Sequence, residues 1–116
     1  MPADAAQGVL IAVLVPCFNE SATIAGVVED FRRVLPEATV YVFDNMSTDD
    51  TAQLARAAGA VVVPATRRGK GSVVRKMFSE VEADVYLMVD GDGTYEPEVA
   101  AGMVDRLRSD VLDMVV

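Results

Sequence analysis

Two acidic turns in this chain each follow an apolar run. Asp44-Asn45-Met46-Ser47-Thr48-Asp49-Asp50-Thr51 comes directly after Val40-Tyr41-Val42-Phe43, and Asp90-Gly91-Asp92-Gly93-Thr94 directly after Val85-Tyr86-Leu87-Met88-Val89. Ligands of open α/β sheets bind beyond the carboxyl ends of the strands. Carboxylates gathered there point to a bound cation, a sugar or a nucleotide. Asp90 and Asp92 are two apart, so in extended backbone both would face one ligand. Two such charges about 4 Å apart repel by roughly 4 kcal/mol at an effective dielectric of about 20. A hard divalent cation, Mg²⁺ or Mn²⁺, would remove that cost. Gly91 and Gly93 would let a ligand approach the backbone closely. A calcium EF-hand loop is excluded, because Tyr95 and Ala101 stand where it needs its glycine and its bidentate glutamate.

The elements that must hold these turns alternate between strand and helix signals, which predicts a mostly parallel sheet with helices packed on it. Val9 to Val15 reads as a buried strand. A helix follows Asn19-Glu20-Ser21, with Ile24, Val27, Val28, Phe31 and Leu35 on one face, Asn19 or Ser21 as cap and Pro36 at its end. The second strand is Val40 to Phe43. The next helix begins between Ser47 and Asp50 and stops at Gly59, a glycine suited to a left-handed cap. Ala60 to Val63 forms a third strand, closed by Pro64. After Arg67-Arg68-Gly69-Lys70-Gly71, the residues Val74, Met77, Phe78 and Val81 predict a helix. Val85 to Val89 is the fourth strand. Pro97 opens a last helix with Ala100, Met103, Val104 and Leu107 on its inner face. The chain closes on a further apolar run, Val111 to Val116.

With 116 residues, 52% of them hydrophobic, the chain has material for one well-buried domain. A net charge of −8 argues against nucleic-acid binding, which needs a basic face. Arg67, Arg68, Lys70, Arg75 and Lys76 make a local basic segment free of acids, which suits a small anion. No apolar stretch approaches the roughly 20 residues of a membrane helix. The N-terminal residues lack the basic start of a secretory signal. The single cysteine, Cys17, fits a reducing cytosol and reads as a small packing residue, since the chain has no histidine to activate it.

Taken in order, Pro16-Cys17-Phe18-Asn19-Glu20, the Asp44 to Thr51 turn, Gly69-Lys70-Gly71 and Asp90-Gly91-Asp92 resemble the motifs of family 2 glycosyltransferases, including the dolichol-phosphate and polyprenyl-phosphate sugar transferases. The resemblance implies the GT-A fold: a three-layer α/β/α, Rossmann-like, mostly parallel sheet, of which residues 1–116 would be the N-terminal, nucleotide-sugar-binding domain. It implies that Pro16, Phe18 and Glu20 line the base and ribose pocket and that Asp44, with Asn45 beside it, reads the base. Lys70 would approach the diphosphate, Asp90 and Gly91 the ribose or metal, and Asp92 would ligate Mg²⁺ or Mn²⁺. Ser47 and Asp49 would shape the helix start. A catalytic base and an acceptor half would follow beyond Val116.

On this reading a hexose passes from a UDP- or GDP-linked sugar to an acceptor such as a polyprenyl phosphate, in the cytoplasm or at the cytoplasmic face of the membrane. Two alternatives stay open. Asp90-Gly91-Asp92-Gly93-Thr94 also fits the Asp-x-Asp-x-Thr signature of Mg²⁺-dependent haloacid-dehalogenase phosphatases, with Asp90 as nucleophile and Asp92 as general acid. A non-catalytic nucleotide-binding or assembly module is the other. An interrupted sheet leaves an unpaired edge, so Val111 to Val116 is expected to pair with a second copy or another chain.

Overall fold

The computed structural model describes residues 10–65, 79, 81–110 and 114–115. Its elements are β1 (Ile11–Cys17), α1 (Ile24–Val34), β2 (Thr39–Asp44), α2 (Thr51–Ala58), β3 (Val61–Pro64), β4 (Val85–Met88), α3 (Pro97–Asp110) and β5 (Met114–Val115). The strands form one sheet in the order β3-β2-β1-β4-β5, and every described pairing is parallel. The chain first steps outward from β1 through β2 to β3, then returns to lay β4 on the other flank of β1. That reversal creates a crevice between the carboxyl ends of β1 and β4, the place where such sheets bind ligands.

One face of the sheet packs against α1, α2 and α3. Ile11, Val13 and Val15 of β1 meet Val40, Val42, Val85 and Leu87 of its neighbours, Ile24, Val27, Val28 and Phe31 from α1 and Leu35 at its C-terminal cap, all of them buried. The predicted apolar face of α1 is therefore the one that packs. On the opposite face Leu14 and Phe43 are fully buried in a second cluster with Ala12, Ala65 and Val81. The predicted helix over Val74 to Val81, and with it the basic segment containing Lys70, lies outside the described residues except for Ser79 and Val81.

Several expectations need correction. β1 begins and ends two residues later than predicted, so Pro16 and Cys17 are strand residues, in register with Phe43 and Asp44. Pro16 has no N–H to give a ladder. It is tolerated in this central strand because the β1–β4 pairing stops at Leu14 and Met88, so no partner faces it on that side. Neither Asn19 nor Ser21 caps α1; Thr23 precedes the helix and makes no side-chain capping bond. Met103 of α3 is 38% exposed, whereas Ala100 and Val104 are buried. Residues four apart keep the buried stripe, and Met103 turns off it.

α2 ends as predicted. Gly59 adopts φ +111, and a Cβ there would lie 2.1 Å from Arg32 Nη1, which donates to the Ala58 carbonyl at 3.0 Å. The terminal apolar run also finds a partner within the molecule. Met114 and Val115 are in register with Tyr86 and Leu87 of β4, so one side of this run pairs within the chain. No helix of the described residues is long and apolar enough to cross a membrane.

Candidate functional site

The loops after β1 and β2 are stitched together by polar bonds. The Asn19 amide donates to Ser47 Oγ at 2.8 Å, and Asn19 Oδ1 accepts from the Thr48 amide at 2.8 Å. The Glu20 amide donates to Thr51 Oγ1 at 2.9 Å, and the Ser21 amide to Asp49 Oδ2 at 3.3 Å. Thr51 is fully buried, and its hydroxyl donates in turn to Asp49 Oδ1. One hydroxyl thus accepts once and donates once, leaving no orphaned polar atom in a dry place. Asp44 accepts from the Ser47 amide at 3.2 Å. Asn19 and Met46 hold left-handed φ angles of 54° and 63°. Such angles are uncommon outside glycine and mark backbone held by its surroundings.

The loop after β4 docks on the same ground. Gly91 is buried with no room for a side chain: a Cβ there would sit 2.9 Å from Cys17 Sγ and 3.3 Å from Glu20 Cγ. Its carbonyl accepts from Thr23 Oγ1 at 2.5 Å. Further along, Tyr95 stacks on Phe31 of α1 with ring centroids 4.9 Å apart, and its hydroxyl donates to Asp30 Oδ2 at 3.4 Å. The chain leaves β4 before Asp90, and Gly91 and Asp92 form a turn. Strand alternation is therefore not what brings the two aspartates together, contrary to the sequence expectation. Docking of the turn on Cys17, Glu20 and Thr23 does so instead.

Electrostatics report the same convergence. Burial raises the Glu20 carboxyl above the usual glutamate range, and the nearby charges of Asp92, Asp90 and Asp49 raise it further. Burial pushes the Cys17 thiol up to about 12, helped by Glu20, Asp44 and Asp49. A thiol so placed stays protonated at neutral pH and is no nucleophile. Asp49 goes the other way, to about 2, chiefly because the Thr51 hydroxyl donates to its carboxylate. The ends of β1, β2 and β4 therefore share one strongly negative neighbourhood.

Of the residues singled out from the sequence, Pro16, Glu20, Asp44 and Asn45 lie half-buried where the first two loops meet, and Phe18 is exposed on the same loop. Asn45 donates its amide to the Cys17 carbonyl at 2.8 Å, and its buried Oδ1 has no hydrogen-bond partner among the described residues. Asp90 and Asp92 are exposed. They line a cavity of about 720 Å³ together with Met88, Tyr95, Val99 and Met103. Pro16, Phe18, Glu20 and Asp44 do not line that cavity. Lys70 lies outside the described residues.

The sequence reading gave no role to Thr23 or Tyr95. Thr23 looks like an ordinary helix-start residue, and nothing local betrays a contact 68 positions away.

Among the described residues no three acidic or thiol side chains form a cage able to hold a metal ion. That does not disqualify a Mg²⁺-type ion. Such an ion keeps waters and takes one or two carboxylates together with substrate phosphates. A turn offering Asp90 and Asp92 beside a half-buried Glu20 fits the protein's share of that shell. Asp92 Oδ1 already accepts from the Thr94 hydroxyl at 2.8 Å and from the Thr94 amide at 3.1 Å, which orients its carboxylate.

Known proteins place this arrangement. The model of glycosyl transferase family 2 matches residues 12–116. The chain is 56% identical over 106 residues to protein RfbJ of Shigella flexneri, a match covering 91% of this chain and 82% of that one. It is 45% identical to glycosyltransferase AglJ of Haloferax volcanii across 84% of its own length, and there it spans 32% of the relative. Among solved structures it is similar to glucosyl-3-phosphoglycerate synthase from Mycobacterium tuberculosis in complex with UDP. That match has a TM-score of 0.78 at 29% identity and covers 90% of this chain and 42% of the synthase. The same synthase has been solved with Mn²⁺, UDP and glucosyl-3-phosphoglycerate. The fold is thus GT-A, and a haloacid-dehalogenase reading of Asp90 loses its ground. Motif order, sheet and family model agree along almost the whole sequence: the chain belongs to glycosyl transferase family 2.

Proposed function

We propose that this chain supplies the nucleotide-sugar-binding part of a metal-dependent glycosyltransferase, which moves a hexose from a nucleoside diphosphate to an acceptor. The observation that carries the reading is the docking of the Asp90–Asp92 turn on the loop that carries Glu20. Gly91 packs there against Cys17 and Glu20, and burial and the charges of Asp92 and Asp90 raise the Glu20 carboxyl. Uncompensated, those charges repel; a divalent cation bound beside them would offset the repulsion and let the donor's anionic diphosphate approach. The match to a synthase solved with UDP and Mn²⁺ supports it.

In this reading Pro16, Phe18 and Glu20 receive the base and ribose, Asp44 and Asn45 meet the base edge, and Lys70 approaches the diphosphate. Asn45 Oδ1, buried without a partner among the described residues, is suited to accept from a ligand N–H. Asp90 and Asp92 would hold Mg²⁺ or Mn²⁺, which stabilises the charge that develops on the departing diphosphate. The residues themselves orient the donor and set the spacing between its base and its phosphates. A polyprenyl phosphate at the cytoplasmic membrane face is the acceptor proposed, on the resemblance to lipid-phosphate sugar transferases alone.

Calorimetric titration with UDP, GDP and ADP, each with and without Mn²⁺, tests this reading. A uridine or guanosine diphosphate whose binding tightens with Mn²⁺ is the expected result. Equal indifference to all three nucleotides, with and without the ion, would overturn it.

A further inference from the structure

We infer that Thr23 is a positioning residue for the metal-binding turn, acting through the Gly91 carbonyl; the inference rests on the nucleotide-and-metal reading above. Thr23 sits immediately before α1, where a threonine hydroxyl ordinarily accepts from its own helix amides. Here it makes no such bond. Its hydroxyl has one proton and two carbonyls within reach: Gly91 at 2.5 Å and Glu20 at 3.4 Å. The shorter bond takes the proton.

The location of that bond is what gives it consequence. Gly91 and Gly93 bracket Asp92, and Gly93 adopts φ +80. Glycine on both sides gives the backbone around Asp92 a conformational range that side chains would narrow. The bond from Thr94 to Asp92 is local and moves with the turn, so it cannot aim the carboxylate relative to β1. Tyr95, stacked on Phe31, fixes the turn's far end. Thr23 fixes its near end, between the two aspartates, and its Cβ and Cγ2 lie 3.9 Å from where a Gly93 Cβ would be. α1 thereby splints the turn against the loop that carries Glu20. Losing the hydroxyl would release the turn from its bond to Thr23 while leaving both carboxylates chemically intact, a loss felt by the metal and not by the base.

Thr23→Val keeps the shape and removes the proton; Thr23→Ser keeps the proton and removes the methyl. The whole 116-residue chain is titrated with UDP, with and without Mn²⁺, and Mn²⁺ alone is followed by electron paramagnetic resonance. Circular dichroism melting checks each fold. The expected result is that Thr23→Val binds metal-free UDP within about twofold of the parent but loses about tenfold of the Mn²⁺ enhancement, a size typical of residues that orient metal ligands. Thr23→Ser should restore it, and the resonance titration should show weaker Mn²⁺ binding by Thr23→Val alone.

An unchanged Mn²⁺ enhancement in Thr23→Val overturns the inference. So does an equal loss with and without the ion, or a Thr23→Ser variant as poor as Thr23→Val, since either means a merely structural role. A parent chain that ignores UDP under all conditions sinks the nucleotide reading instead, and the Mn²⁺ titration still decides the role of Thr23.

Discussion

The Glu20 amide donates to the Thr51 hydroxyl at 2.9 Å across 31 residues of sequence. That single bond joins the loop after β1 to the first turn of α2, and the same hydroxyl then donates to Asp49. The acidic turn of β2 is thereby held as a shaped support for Glu20. Thr51, the one fully buried polar residue among those described, is its centre.

Thr51→Val should therefore cost more than an average substitution. It leaves a part-buried amide without its acceptor and Asp49 without its hydroxyl donor. A penalty of about 1–3 kcal/mol is expected from the unsatisfied Glu20 amide, read as a lower midpoint in urea unfolding at unchanged slope. A variant as stable as the parent would show that water replaces the hydroxyl freely.

The Gly91 site predicts a compensating pair. Gly91→Ala places a methyl 2.9 Å from Cys17 Sγ, and overpacking of this kind costs about 1–3 kcal/mol. Removing the sulfur with Cys17→Ala in the same chain should recover part of the lost thermal midpoint. If the double variant melts no higher than Gly91→Ala alone, the strain lies against Glu20 or the backbone and not against the thiol.

Two neighbouring carboxylates should give opposite pH signatures. Glu20 has a folded pKa above its unfolded value, so it favours folding only while protonated, and that benefit is lost as pH rises through the folded pKa. Glu20→Gln should accordingly melt higher than the parent at pH 7, with the gap closing below about pH 4. Asp49, lowered to about 2, favours folding above the unfolded carboxylate pKa and ceases to as pH falls toward 2. Asp49→Asn should melt lower than the parent at pH 7, and that gap too should close in acid. Melting curves from pH 2 to 8 check both signs.

Asp92→Asn keeps the Thr94 contacts within reach of the amide oxygen but removes a charge from the turn. Mn²⁺-dependent UDP binding should weaken by about tenfold or more, while metal-free UDP binding holds or improves as repulsion falls. Calorimetry on the two proteins side by side decides. An equal response to Mn²⁺ would move the ion away from Asp92.

Much of the fold was legible because its signals are local. The stripe Ile24, Val27, Val28, Phe31 and Leu35 faces the sheet as periodicity requires, and Gly59 stops α2 because a left-handed turn there excludes a side chain. Strand ends were misplaced by up to two residues at Pro16 and Cys17, since a proline reads as a breaker unless one knows that its missing N–H faces no partner. The exposed side of Met103 was equally invisible, because burial on α3 depends on where the helix crosses the sheet.

The residue types set the chemistry in advance: carboxylates at strand ends, glycines where backbone must come close, and an ordered series of motifs shared with glycosyl transferase family 2. Tertiary structure alone decided how Asp90 and Asp92 are brought to Glu20. Strand alternation does not do it, since the chain turns before Gly91. The turn is seated there by Thr23, by Cys17 packing against Gly91 and by the Tyr95–Phe31 stack. The physical reason is range: periodicity and capping act over a few residues, whereas these contacts join positions more than 60 apart, and only the folded sheet brings them within reach.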